Sequence, residues 1–291
     1  MLNRRTITSL GAGFFLLQSV STNSLASHSE NSEGIHRKLR FELMISNPAE
    51  NYLGPQKIYC YIPANIKNQQ NLTKLNSSAP FTLTHDRLGH NIICFTFDRF
   101  GAFSNKIIST QLSLVLKSVK LDQKKYFSEW LASDVFVESD AVEILKIAAE
   151  LVRDNDLATA RSIFNWIRTN ISDSGYLAED RGALEAMRTR HGDCTEFSYL
   201  MVALCRANKI PARVVGGYVT QSDAVLAPYS YHNWAEIYIN GNWLIADAQK
   251  GIWDPMRTDY IVFKYYSSLL NNDVGMNHRF RIDGDVKVLL L

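Results

Sequence analysis

The hydrophobic period of this chain changes twice, and that alternation limits the folds open to it. From Lys38 to about Lys120 the chain reads as short strands, several alternating with a period of two and Lys57 to Ile62 short and apolar throughout. The runs are Leu39-Arg40-Phe41-Glu42-Leu43-Met44-Ile45, Lys57 to Ile62, Asn91 to Phe97 and Gln111 to Leu116. Asn47-Pro48, Gly54-Pro55 and Asn76-Ser77-Ser78 supply turn chemistry between them. From Ser139 the spacing becomes helical: Ile144, Leu145, Ile147, Ala148, Leu151 and Val152, then Ala160, Ile163, Phe164 and Ile167 from about Asp156 to Thr169. Gly182 to Arg190 predicts a third helix, and Phe197, Leu200, Met201 and Leu204 line a fourth over Thr195 to Ala207. Ser139 or Asp140 is expected to cap the first of these. Strand-like runs resume at Ala212. The pattern implies an α+β chain with an antiparallel β-sandwich over 36–125, followed over 126–291 by helices packed on an antiparallel sheet. The segment after Asp259 reads as strand or helix equally well and is expected to complete the second core.

The first 26 residues read as a targeting segment. Asn3-Arg4-Arg5-Thr6 is a twin-arginine pair, Ile7 to Val20 is moderately apolar, and Ser24-Leu25-Ala26 offers small residues for cleavage. Thr8, Ser9, Gly11, Gly13, Gln18 and Ser19 interrupt the apolar run, leaving it short of the ~20 apolar residues that a spanning helix needs. The expectation is a bacterial protein exported to the periplasm or beyond, by the twin-arginine route as one option, with no stable membrane insertion once the signal is removed. With Arg4 and Arg5 set aside, basic and acidic residues balance at 29 each. A neutral chain without a basic stripe offers nucleic acid no electrostatic footprint.

Four cysteines, Cys60, Cys94, Cys194 and Cys205, occur with no Cys-x-x-Cys pair and no zinc spacing. Cys60 and Cys94 sit in strand-like runs as buried thiols, or as a disulfide that an oxidising compartment permits. Cys205 reads as a packing residue. His85 and His90 flank a polar turn and read as solvated loop residues, with no third ligand nearby.

The chemistry concentrates in three places. Gly192-Asp193-Cys194 leads into an amphipathic helix, where a thiol in the first turn meets the positive end of the helix dipole and unpaired amides. Both are expected to lower its pKa, and the Cys194 amide is placed to donate to an oxyanion. Downstream, Asn240-Gly241 is a strong two-residue hairpin signal. If Ile239 pairs with Asn242, Trp234 lies opposite Asp247, and alternation puts His232 and Asp247 on one face as diagonal neighbours. Asp247 is then placed to fix the tautomer of His232. Trp234 either shields the site or simply packs, and Glu236 reads as a paired structural carboxylate. Cys194, His232 and Asp247 are the candidate nucleophile, base and orienting acid of acyl transfer.

These residues resemble the transglutaminase-like superfamily of papain-related cysteine enzymes, over roughly Ser139 to Gln249. The resemblance runs through Gly192-Asp193-Cys194, the Ile210-Pro211-Ala212-Arg213-Val214-Val215 segment, His232-Asn233-Trp234-Ala235-Glu236 and Trp243 to Asp247. It implies a papain-like core with Cys194 as nucleophile, His232 as base then acid and Asp247 as the orienting carboxylate. It implies no metal and no cofactor. Animal members carry Gly-Gln-Cys-Trp at the nucleophile where this chain has Gly192-Asp193-Cys194-Thr195, which looks like the bacterial cysteine-peptidase branch. Hydrolysis of a peptide or isopeptide amide through a thioester is the expected activity. Transglutamination, and a catalytically silent binding module, are the alternatives. Trp166 and Tyr176 are weighed as the second oxyanion donor without a choice between them.

Overall fold

In the computed structural model, residues 34–118 and 128–291 are described, and they cluster as one compact unit. The targeting segment lies outside the described residues. Six strands come first: β1 (Ile35–Ser46), β2 (Gln56–Ile62), β3 (Gln70–Ser77), β4 (Thr82–His85), β5 (Asn91–Phe97) and β6 (Asn105–Leu116). Then follow α1 (Val142–Glu150), α2 (Asp156–Asn170), β7 (Ser172–Asp173), α3 (Ala183–Thr189), β8 (His191–Gly192) and α4 (Cys194–Ala207). The last part holds β9 (Ala212–Val219), β10 (Ala224–Val225), β11 (Tyr231–Ile239), β12 (Asn242–Asp247), β13 (Ile252–Trp253), β14 (Tyr260–Tyr265), β15 (Phe280–Asp283) and β16 (Lys287–Leu290).

The period-two runs form two sheets. One has the order β10-β1-β6-β3 with β16 also on β1, and the other the order β15-β2-β5-β4. Their alternating apolar residues, Leu39, Leu43, Ile58, Ile93, Phe95, Ile108 and Leu112 among them, make a shared core. The tail departs from expectation. Only β14 joins the second sheet, whereas β15 pairs with β2 and β16 with β1, so strands from the far end of the chain complete both sandwich sheets. Phe280, Ile282 and Leu290 pack on the sandwich core. They cover edges that β1 and β2 would otherwise leave unpaired.

The second sheet runs β13-β12-β11-β9-β14, and α4 lies across it. Leu200, Ala203 and Leu204 of α4 pack with Ala212, Val214, Ala235, Ile237 and Ala246, with α1, α2 and α3 around them. The opposite face carries Trp234, Trp243, Ile245, Tyr260 and Val262. The hairpin has the expected register, Ile239↔Asn242 through Ala235↔Ala246. Asn240 (φ 49°) and Gly241 (φ 85°) both occupy the left-handed region that such a turn requires. One cap differs: α1 starts after Ala141 with no side-chain cap, because Asp140 accepts from the Ser133 hydroxyl instead.

Cys60 and Cys94 are free and buried. The register explains why a disulfide does not form. Tyr59 is opposite Cys94 and Cys60 opposite Ile93, so the two side chains point to opposite faces of the sheet. His90 is likewise not a solvated loop residue. It is fully buried, bonded to Asp86 at 2.7 Å through Nδ1, and accepts the Tyr265 amide at 2.8 Å through Nε2, tying the sandwich to β14.

Candidate active site

Asp193 and Glu196 shape the start of α4. Asp193 is the N-cap, its carboxylate accepting the Thr195 amide at 2.7 Å, while Glu196 reaches back to the Asp193 amide at 3.1 Å. The same two carboxylates hold the preceding loop through the amides of Leu177 (3.0 Å) and Arg181 (2.9 Å). Cys194 thus opens the helix in a rigid turn, half-buried.

The hairpin supplies the second group. His232 Nε2 lies 2.7 Å from Asp247 Oδ2. That oxygen also accepts the Tyr260 hydroxyl at 3.1 Å, and Oδ1 accepts the Lys250 amide at 3.2 Å. A carboxylate accepts only, so Nε2 is the protonated nitrogen and Nδ1 carries the lone pair of the neutral ring. Tyr260 stays a donor, because burial and the Asp247 charge raise its pKa. The Trp234 indole, fully buried, stacks beside the imidazole with ring centroids 6.3 Å apart. The same indole meets the Tyr260 ring edge-on at 5.1 Å, so it packs between the two groups that flank Asp247.

Cys194 approaches β11 where the sheet leaves room for it. The β12 ladder on β11 ends at Ala235↔Ala246, and beyond it the Asn233 backbone is hydrogen-bonded to Cys194. Thr195 adds a side-chain hydrogen bond to the sulfur, and the Asp247 charge acts on it as well. The thiol pKa does not fall as a helix start alone predicts. Burial, then the Asp193 charge, push it up to about 12, against the opposing pull of the Asn233 and Thr195 hydrogen bonds. The resting sulfur is therefore a neutral thiol at pH 7.

Behind the site, Glu236 is fully buried between two cations. Arg213 donates to its Oε2 at 2.8 and 2.6 Å, and Arg257 pairs with Oε1. Burial alone would raise the Glu236 pKa, but Arg257 and Arg213 outweigh it and hold the group below the usual range. The Arg213 guanidinium also lies 4.0 Å over Trp243 and 3.9 Å over Tyr265. Glu236 is the structural carboxylate expected of it, and it braces β9 against β11. Of the two residues weighed as an oxyanion donor, Trp166 is covered by Arg190 and Tyr176 is 85% exposed. Among the described residues, neither side chain is hydrogen-bonded to Cys194. Sequence reasoning missed Tyr260, Asn233 and Thr195. Two of them adjoin His232 and Cys194, but only the crossing of α4 over β11 gives them partners.

Residues 146–248 match the family model of the transglutaminase-like superfamily core. The chain carries a transglutaminase-like core. A solved structure from Cytophaga hutchinsonii, described provisionally as a cysteine protease, is similar over most of both chains. It is 18% identical with a TM-score of 0.62, covering 88% of this chain and 92% of that one, so the two share their fold over most of their length. The periplasmic domain of TgpA from Pseudomonas aeruginosa, solved with ethylmercury, is 15% identical with a TM-score of 0.39, covering 79% of this chain and 94% of that one. No curated protein matches the chain. Among the described residues, no helix is long and apolar enough to cross a membrane, and no cluster of metal-binding side chains occurs.

Proposed function

We propose that the protein is an exported cysteine-dependent hydrolase of peptide or isopeptide amides, with Cys194, His232 and Asp247 as its triad. The observation that carries this is the 2.7 Å bond from His232 Nε2 to a buried, otherwise hydrogen-bonded Asp247, which leaves Nδ1 as the basic nitrogen. The Cys194 thiol gives its proton to that nitrogen as the sulfur attacks the amide carbonyl. The Cys194 amide donates to the oxyanion. The imidazolium, steadied by Asp247, then protonates the departing amine as the C–N bond breaks and a thioester remains. Water, losing a proton to His232, attacks the thioester, and the acid product leaves with the thiol restored. Export rests on the order of Arg4-Arg5, apolar run and Ser24-Leu25-Ala26.

Cys194→Ala protein and wild type, incubated with a defined peptide mixture, test the assignment by mass spectrometry. New carboxyl termini in the wild-type sample alone support hydrolysis. Incorporation of an added primary amine in place of water would move the protein to the transglutaminase reading. Equal cleavage by both proteins would remove Cys194 from the mechanism.

A further inference from the structure

A row of basic side chains follows the outer edge of the sheet that carries His232 and Asp247. β13 is the outermost strand there, paired only with β12, where Ile252 lies opposite Asp247. The turn that leads into β13 is anchored on the same carboxylate, the Lys250 amide lying 3.2 Å from Asp247 Oδ1. Over this short segment α2 holds two arginines. Arg161 stands above the Trp253 ring, its guanidinium carbon 4.5 Å from the centroid, and Arg168 lies against Gly251. Only a glycine admits Arg168 this closely. A Cβ at residue 251 would stand 2.9 Å from three of the guanidinium atoms, and φ there is +70°.

Arg161, Arg168 and Lys250 are all exposed. Among the described residues neither guanidinium has an ion-pair or hydrogen-bond partner, so ring and backbone contacts alone hold them. An arginine placed in this way has already given up rotamer freedom, while its fork of N–H donors stays open. Guanidinium remains charged in proteins and grips a carboxylate through two parallel hydrogen bonds. The two arginines belong to one helix, α2, and are two turns apart. That separation is about 10 Å along the axis, the length of about three residues of extended chain. Asp254, exposed one residue past Trp253, bounds the row.

We propose that this row is a recognition site for an acidic segment of the peptide substrate, lying extended along β13 with its carboxylates on Arg161 and Arg168. The proposal deepens the hydrolase reading and rests on it for the bond that is cut. An outermost strand offers unpaired backbone groups to a chain laid beside it, and the arginines then select the side chains. A peptide meets both features at once, whereas an anionic saccharide or a lipid surface uses the charge alone. β13 is two strands from β11. Two strand spacings are about 10 Å, so the acidic segment sits about three to six residues from the carbonyl that meets Cys194.

Fluorescence anisotropy with a Thr-Glu repeat peptide about twelve residues long, and its Thr-Gln counterpart, tests the binding. Cys194→Ala protein is used so that nothing is cut. An exposed guanidinium–carboxylate pair shifts an equilibrium by up to about fivefold, so the two arginines predict about tenfold tighter binding of the Glu repeat. Added salt should weaken that preference. In Arg161→Gln/Arg168→Gln it should shrink to about twofold or less. Equal binding of the two repeats, or a preference unchanged in the double variant, overturns the proposal. So does a uronate oligosaccharide or a phosphatidylglycerol vesicle that binds through these arginines where the Glu repeat does not. If the double variant does not fold, Arg161→Gln and Arg168→Gln are read singly, each expected to cost about threefold. In a peptide mixture, protein with Cys194 intact should cut with Glu or Asp about three to six residues from the new terminus. Arg161→Gln/Arg168→Gln should still cut but lose that bias. No cutting by wild type would strike at the hydrolase reading and leave the binding result standing.

Discussion

Replacing His232 by alanine separates the two sources of reactivity that the Cys194 thiol has. With its pKa pushed up to about 12, only about one thiol in 10⁵ is ionised at pH 7, a deficit of about 7 kcal/mol at 1.36 kcal/mol per unit. The Asn233 and Thr195 hydrogen bonds offset only part of what burial and Asp193 impose. His232 lowers the remaining barrier by taking the proton in the transition state. A positioned general base contributes about 10²–10⁴-fold. Labelling of Cys194 by iodoacetamide should therefore fall by about that factor in His232→Ala at pH 7. The variant's rate should then rise about tenfold per pH unit until the thiol's own pKa is reached, because thiolate supplies all of it. Asp247, left without its partner, adds negative charge near the sulfur, so His232→Ala/Asp247→Asn should label no slower than His232→Ala. A His232→Ala protein that labels within a few-fold of wild type at pH 7, with a flat pH profile, would refute the reasoning. The sulfur would then be ionised without the base.

Asp247→Asn keeps an acceptor for Tyr260 but presents no carboxylate to His232. Peptide hydrolysis should drop by about 10³-fold with little change in melting temperature. Glu236→Gln leaves Arg213 and Arg257 buried without a counter-charge, and should cost about 3–5 kcal/mol, read as a fall of roughly 10 °C in thermal melting. Because the Glu236 pKa is depressed in the fold, its stabilisation is present above the ordinary carboxylate range and is lost as pH falls through the folded value. An acid melting series on wild type and Glu236→Gln should converge there. Asp193→Ala removes the α4 cap, expected to cost about 1 kcal/mol, and also frees the Leu177 amide, so Cys194 labelling should change along with stability. Thiol titration of the denatured protein without reductant should find all four cysteines free.

The elements legible in the sequence are those that a local pattern dictates. Strand-like runs gave β1, β2, β5 and β6 but not β3 or β4, period 3.6 gave the four helices, and Asn240-Gly241 the register that brings His232 to Asp247. What escaped depends on long-range pairing. Phe280 to Leu290 are strand-like by composition, but nothing local says that β15 and β16 cross back to β2 and β1. His90 looked like a turn residue because its acceptor role involves the Tyr265 amide, 175 positions away. The thiol of Cys194 was misjudged for the same reason: the helix start is visible in sequence, whereas the burial that overrides it is a property of what packs around it.

The sandwich sheets take their last strands from residues 280–290. During synthesis, the first hundred residues must therefore wait with β1 and β2 edges open until nearly all the rest has emerged. Such late closure makes folding slow and leaves sticky intermediates exposed. It also means that shortening the chain from its far end damages the half that comes first.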